Sequence, residues 1–442
     1  MRRRTAGWRG QRYVPLRVGA VLLALCGVLA TGGVAGAAGP DGYGFAPGAR
    51  TVTGATNPGG AQRLDAGRVY RGELPRNGRL YYRLHLAAED TAYVPVTAVP
   101  PADTAVSATD GIRVSLRDAD GTPCSYASAR FGAGLSPRPV TALGRREAGR
   151  ALCQGKGTYY LFVERLDAEG SGSGAAGSAR PWGLEIAPAT EPARVAAGPT
   201  SAPGGWDSAT PRPLTGEARD RTGGTGFASA AAVGQGVWRS ALTPGETRFY
   251  KVPLDWGRQL HASADLGPAA GHGYVGGALT LSLHNPVRGP VDDAALGYTG
   301  TRKTVTLDLV PPVEYANRYA APSGVGTVRF AGEYYLVLHL SEQLTGVFGR
   351  GPFPVTLRVR VDGRAHAGPE YAGRPVPAGV FTVTAGDRTA ALTGGGDEDG
   401  TAMRLLGFGG VGMGTALLLT LGGWTVVARR AQTRVSAQKP TA

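Results

Sequence analysis

Lysine is nearly missing from this 442-residue chain: it stands only at positions 156, 251, 303 and 439, so almost all of the positive charge is arginine. Aromatic residues are sparse, with 10 Phe, 17 Tyr and 6 Trp against 71 Gly and 32 Pro. That imbalance disfavours long helices and points to short strands joined by tight turns, as well as to a GC-rich coding sequence. Catalytic signatures are missing too. There is no G-x-S-x-G, no H-E-x-x-H and no D-x-S-x-S, and the six histidines (85, 261, 272, 284, 339 and 366) are scattered without metal-ligand spacing. His85, His284 and His339 fall in or beside expected strands and are read as exposed strand residues. No catalytic role and no cofactor are expected.

A net charge of +14 invites a nucleic-acid reading until the charges are placed along the chain. Six arginines lie in the first 17 residues, and Arg429, Arg430, Arg434 and Lys439 lie in the last 14. Without those ten, 37 Lys and Arg face 33 Asp and Glu. The charge therefore marks the ends as targeting and topology signals, and no nucleic-acid partner is expected.

The N-terminus runs from its arginines through VGAVLLALCGVLATGGV to the small-residue string AGAAGP, the order of a secretory signal peptide over residues 1–38 with an A-x-A site at Ala35–Ala37. Residues 405–427, LLGFGGVGMGTALLLTLGGWTVV, carry no charge and would span roughly 34 Å as a helix. Acidic residues precede them and arginines follow, so the positive-inside rule places residues 428–442 in the cytoplasm and the bulk outside. Within this span Gly410 and Gly414 form a GxxxG, a weak motif for helix pairing. The expected partners are thus a membrane, crossed once, and an exported protein or cell-wall component.

The exported part contains a repeat. VYRGELPRNGRLYYRLHL from Val69 aligns without a gap on VWRSALTPGETRFYKVPL from Val237. The blocks Ile112–Asp118 and Leu279–Asn285 follow, then GTYYL at Gly157 and GEYYL at Gly332, then Trp182–Ile186 and Val355–Val361. Each block alternates apolar and polar residues with the period of a half-buried strand. The fold class is all-β: two tandem antiparallel β-sandwiches, residues 60–188 and 226–363. A Pro/Gly-rich linker (189–225) is expected between them, and a stalk (364–402) before the membrane span.

Once the signal peptide is gone, only Cys124 and Cys153 remain, and in an oxidising compartment they are expected to form a structural disulfide. Asp118 and Asp120 offer oxygen ligands to a calcium ion, with a plain turn as the competing reading. Trp206, Trp256 and Tyr274 are the candidates for an exposed aromatic platform that would contact a wall glycan.

The order TRFYKVPLDWGRQL, LTLSLHNP, AGEYYLVL resembles the bacterial pre-peptidase C-terminal domain. The second copy matches over residues 236–340, and the first matches less closely. The resemblance implies jelly-roll-like sandwiches that act as non-catalytic accessory modules, and a place among actinobacterial-type surface proteins that carry such modules before a C-terminal membrane helix. It leaves open a second role as accessory subunit of an extracytoplasmic protease or secretion complex, and, behind that, glycan binding or hydrolysis.

Overall fold

A computed structural model describes residues 42–393 except 103, 150–151, 168–179, 197, 213, 215 and 322. The expected signal peptide, the GxxxG and the apolar stretch 405–427 lie outside the described residues. Among those described, no helix is long and apolar enough to cross a membrane.

The first module is built from β1 (Arg50–Thr51), β2 (Gln62–Arg63), β3 (Tyr70–Leu74), β4 (Arg79–Leu86), β5 (Thr91–Val99), β6 (Gly111–Arg117), β7 (Pro123–Arg130), β8 (Val140–Arg146), β9 (Gly157–Leu166), β10 (Trp182–Ile186) and β11 (Ala189–Glu191). One sheet has the order β1-β3-β10-β5-β11 with β8 also on β5, and the facing sheet has the order β2-β4-β9-β6-β7.

The second module uses β12 (Ala218–Asp220), β13 (Ala231–Ala232), β14 (Gly236–Leu242), β15 (Thr247–Leu254), β16 (Arg258–Leu266), β17 (Val275–His284), β18 (Pro290–Tyr298), β19 (Lys303–Thr306), β20 (Gly332–Leu340) and β21 (Phe353–Gly363). Its sheets are β12-β14-β21-β16-β19 and β13-β15-β20-β17-β18. The two modules therefore share one topology, strand for strand through β1 to β7 and β12 to β18.

Alternation explains the layers. In β4, Leu80, Tyr82, Leu84 and Leu86 turn inward, and in β9 Tyr159, Leu161 and Val163 meet them with Trp182 of β10. In the second module Tyr334, Leu336, Leu338 and Leu340 of β20 pack on Leu357 and Val359 of β21. Strand β5 is different, because eight consecutive residues from Thr91 to Ala98 are buried. Burial on both faces means that something covers its outer side.

Cys124 and Cys153 are bonded, with their Cα atoms 5.5 Å apart. The bond holds β7 to the loop before β9. Fully buried Arg146 donates from Nε to the Cys153 carbonyl (2.9 Å) and from Nη2 to that of Gly155 (3.1 Å), satisfying a loop that has no ladder of its own.

The expected boundaries need correction. The first module begins before residue 60, because β1 joins its sheet. The 189–225 linker supplies an edge strand to each module, β11 and β12. The expected stalk is folded onto the modules as far as residue 393. Bridges join Thr190 to Val376 and Arg194 to Tyr371, and Phe381 is buried against Phe330 with ring centroids 4.6 Å apart.

Among the described residues there are also short α-helices, α1 (Ser323–Thr327), α2 (Leu344–Phe348) and α3 (Ala385–Thr393). Thr384 and Asp387 cap the start of α3 reciprocally, and Arg388 pairs with Asp255 at 2.7 Å. A composition rich in Gly, Ala and Thr reads as a tether, yet Phe381, Tyr371, the Val376 bridge and Arg388 hold the segment against the modules.

Candidate functional site

The residues that cover β5 belong to the second module. Core-facing Ala92, Val94, Val96 and Ala98 leave Tyr93 pointing outward, and Tyr93 stands edge-on to Phe330 at 5.1 Å. Leu143 of β8, Ala189, Val287 and Phe381 close a small apolar cluster around them. The seam is thus a second hydrophobic core made by residues from both modules and the C-terminal segment.

Charge completes the seam. Glu185 and Glu191, each 1% exposed, project from the first module. Glu185 accepts from Arg288, from the Tyr43 hydroxyl (2.9 Å) and from the Ala46 amide (2.8 Å). Glu191 accepts from Arg318 (2.8 Å), Tyr93 (2.8 Å) and Tyr371 (2.9 Å). A third pair, Arg329 to Glu147 at 2.9 Å, also reaches the Tyr93 hydroxyl at 3.0 Å. Burial alone would lower the Arg329 pKa, but Tyr93, Glu147 and Glu191 raise it above the usual value, so it stays charged. Burial drives the Tyr93 and Tyr371 hydroxyls upward, so both remain donors.

Further along the seam, His339 is buried between modules. Its Nδ1 meets Thr247 Oγ1 at 2.9 Å, and its Nε2 meets Ser136 Oγ of the first module at 2.9 Å. Burial, with Arg138 adding repulsion, lowers its pKa to about 3. His284 is lowered to about 4 by burial. Both were expected to be exposed; they are neutral packing residues, because their strand face is covered. Gly134 and Gly277 let the two backbones touch: a Cβ on Gly277, whose φ is +59°, would lie 2.7 Å from the Gly134 Cα.

The described residues form several concave or open surfaces, among them a hollow of about 210 Å³ at the seam beside Arg138, Asp293 and His339. A cleft of about 310 Å³ lies between the modules beside the arm Gly42–Ala46, walled by Pro100, Pro101, Pro137, Pro139 and Pro181 with Arg71, Glu73 and Glu246. A groove of about 700 Å³ follows the outer face of β16, β19 and β21, with His261, Ser263, Asp265, Thr304, Arg358 and Arg360. In that groove Arg358 is held by Asp265 at 2.6 Å, and His261 lies 3.5 Å from Asp362, its pKa lowered by burial. The outer face of β4, β9, β6 and β7 shows Arg79, Arg83 and Tyr126 to solvent above buried Phe162 and Ser115.

The aromatic candidates sit on three separate segments. Trp256 is in the core of the second module, with the His366 amide donating to its carbonyl, and so cannot be a surface platform. It follows a strand within Asp255-Trp256-Gly257, a turn that folds inward under residues 366–368 rather than outward. Trp206 is half-buried in the segment between modules, and Tyr274 is 67% exposed, lying over Gly297. Asp118 uses Oδ1 to accept from the amides of Asp120 (3.1 Å) and Thr122 (2.8 Å), which makes it the cap of a turn. Among the described residues no group of three His, Cys, Asp or Glu is placed to hold a metal ion.

Sequence reasoning missed Glu185, Glu191, Arg288, Arg318 and Arg329. Glu185 and Glu191 sit at outward strand positions where charge is ordinary, and nothing local distinguishes them.

No family model matches the chain. No curated protein matches it. Among solved structures, the N-terminal CBM22-1-CBM22-2 tandem domain from Paenibacillus barcinonensis Xyn10C aligns at 12% identity over 64% of this chain and 83% of that one, with a TM-score of 0.18. A putative secreted protein from Eubacterium rectale aligns at 9% identity over 70% and 81%, TM-score 0.17. Tripeptidyl peptidase 2 aligns at 8% identity over 75% of this chain and 28% of its own, TM-score 0.22. Scores of this size do not define a shared fold.

Proposed function

We propose that the chain is a non-catalytic exported protein, held in the cell membrane by residues 405–427, that presents two pre-peptidase-C-terminal-like modules as one rigid binding body to another exported protein or to the cell wall. The carrying observation is the seam. Two sandwiches joined only by a tether would each bind alone. Here an apolar cluster and three ion pairs, each with both side chains at most 13% exposed, join them into one surface. The most buried histidines support a binding role over a catalytic one. His339 and His284 bond to hydroxyl and carbonyl groups, and among the described residues neither ring meets a carboxylate.

Crosslinking of the full chain in its own membrane, followed by mass spectrometry, tests this reading. The expected result is a reproducible set of crosslinks from both modules to one exported protein or to wall material. Modules inaccessible to protease added outside intact cells would overturn the topology, and crosslinks confined to cytoplasmic proteins would overturn the role.

A further inference from the structure

The two modules treat one equivalent face in opposite ways. In the second module the outer face of β15, β20 and β17 is closed and close to neutral at its centre, with Phe249, Val337 and His339 all buried. Strand pairing puts Tyr81, Phe162 and Glu164 at the matching positions of the first module. There Phe162 (6% exposed) and Glu164 are buried beneath the arginines of the same face, while Tyr81 is half-buried and Arg79 and Arg83 reach solvent.

Its side chains form rows across the strands. One row is Arg83–Tyr160–Arg117, fixed by the pairing of both arginine positions with Tyr160. The next is Tyr81–Phe162–Ser115–Tyr126, and the third is Arg79–Glu164–Arg113. An aromatic strip is therefore flanked on each side by a pair of arginines, the rows being about 7 Å apart and the strands about 4.8 Å apart.

Glu164 holds both arginines of its row, Arg79 at 2.8 Å and Arg113 at 2.7 Å. The Arg117 guanidinium lies over the Phe162 ring, 4.2 Å from its centre, and Arg113 lies 5.3 Å from the ring centre of Tyr126, which is 64% exposed. Among the described residues no carboxylate is within ion-pair distance of Arg83 or Arg117. A face that only needs to stay wet mixes both signs of charge and uses lysine freely. The three rows hold four arginines to one carboxylate and no aliphatic side chain, Leu166 lying in the next row beyond Glu164.

We infer that this face binds an anionic glycan, a polymer of sugar rings bearing carboxylate or phosphate groups. The inference rests on the reading of the body as exported. Guanidinium groups held in plane by stacking meet such anions with two parallel hydrogen bonds. Phe162 is buried beneath Arg117, and the rings that can meet the C–H faces of sugars are those of Tyr126, 64% exposed, and of half-buried Tyr81 and Tyr160. A protein partner would need aliphatic contacts at the centre of its footprint, which this face does not supply.

The test is retention of the full chain in lipid nanodiscs on immobilised polygalacturonate, with dextran as the uncharged ring polymer and poly-L-glutamate as the anion without rings. Expected are binding to polygalacturonate that weakens with salt, little binding to dextran, and at least tenfold weaker polygalacturonate binding by the double variant Arg83→Gln/Arg117→Gln at unchanged Tm. Arg360→Gln, on the groove of the second module, should bind as the parent does. Equal loss in Arg360→Gln, or no loss in the double variant, overturns the assignment to this face. Poly-L-glutamate held as tightly as polygalacturonate points to an acidic protein surface and overturns the glycan. Should the double variant misfold, Arg83→Gln alone, at an exposed position, carries the comparison. Protease accessibility on intact cells reports separately on export, so either reading can fail without the other.

Discussion

The first and second modules have the same strand order, yet no pair of equivalent outer faces has the same fate. The first module buries the outer side of β10 and β5 under other parts of the chain, whereas the outer side of β4, β9 and β6 is covered only by its own arginines. The second buries the outer side of β15 and β20 and leaves β16 and β21 open. The contact is heterologous: one surface of the fold meets a different surface of its copy. A duplicated fold docked this way keeps two unmatched faces at opposite ends, and those are free to diverge. The difference teaches that outward residues, not core residues, record what each copy does.

The comparison can be broken most strongly at the seam. Glu191→Ala leaves Arg318 buried without its carboxylate and removes the acceptor of two tyrosines. A loss of about 3–5 kcal/mol is expected, with the parent's single calorimetric transition splitting in two as the modules part. A single transition at nearly unchanged temperature would mean that the modules never depended on one another.

Next comes the disulfide, which only the first module has. Cys124→Ala/Cys153→Ala should cost about 3–4 kcal/mol for a bridge between residues 29 apart in sequence, in the transition of the first module. Denaturant titration followed by module-specific proteolysis measures it, and a loss confined to the second module would contradict the assignment.

Acid should act on the second module and the seam. His339 and His284 are neutral in the fold, with pKa values lowered to about 3 and about 4, while an unfolded histidine titrates near 6.5. Below about pH 6.5 the unfolded chain takes up protons that the folded chain refuses. The contribution of these groups is thus full above that pH and declines as pH falls toward 4 and then 3. Tm measured from pH 7.5 to 4 should fall, and His339→Gln should flatten the slope. A Tm that rises on acidification would contradict the burial of these rings.

The smallest expected effect separates the aromatic candidates. Tyr274→Ala should change stability by less than about 0.5 kcal/mol, whereas Trp256→Ala should cost about 3–5 kcal/mol, both read from chemical denaturation. Equal effects would mean that the turn after β15 does not fold inward.

Much of the fold was legible in the sequence. The blocks at Val69 and Val237, and the GxYYL pair, contain core positions whose alternation survives duplication, and Gly and Pro mark the turns between them. The candidate site was not. Tyr93 and Phe330 stand 237 positions apart and meet only because β5 and the residues before β20 lie on facing surfaces. Phe381 looked like part of a stalk because its neighbours are small. Trp256 looked exposed because it lies in a turn after a strand, and a turn's sequence does not say which way its side chains face.

By itself the sequence determined the all-β class, the duplication and the order of the strands, since period-two alternation and turn residues act over a few positions. It also paired the two cysteines, as the remaining candidates for one bond. Only the tertiary structure decided which faces are hidden, where Glu185 and Glu191 find their arginines, and that the linker and the supposed stalk belong to the body. Those outcomes depend on desolvating groups far apart in the chain, and the free energy of burying a carboxylate is set by the partner it meets, not by its neighbours in sequence.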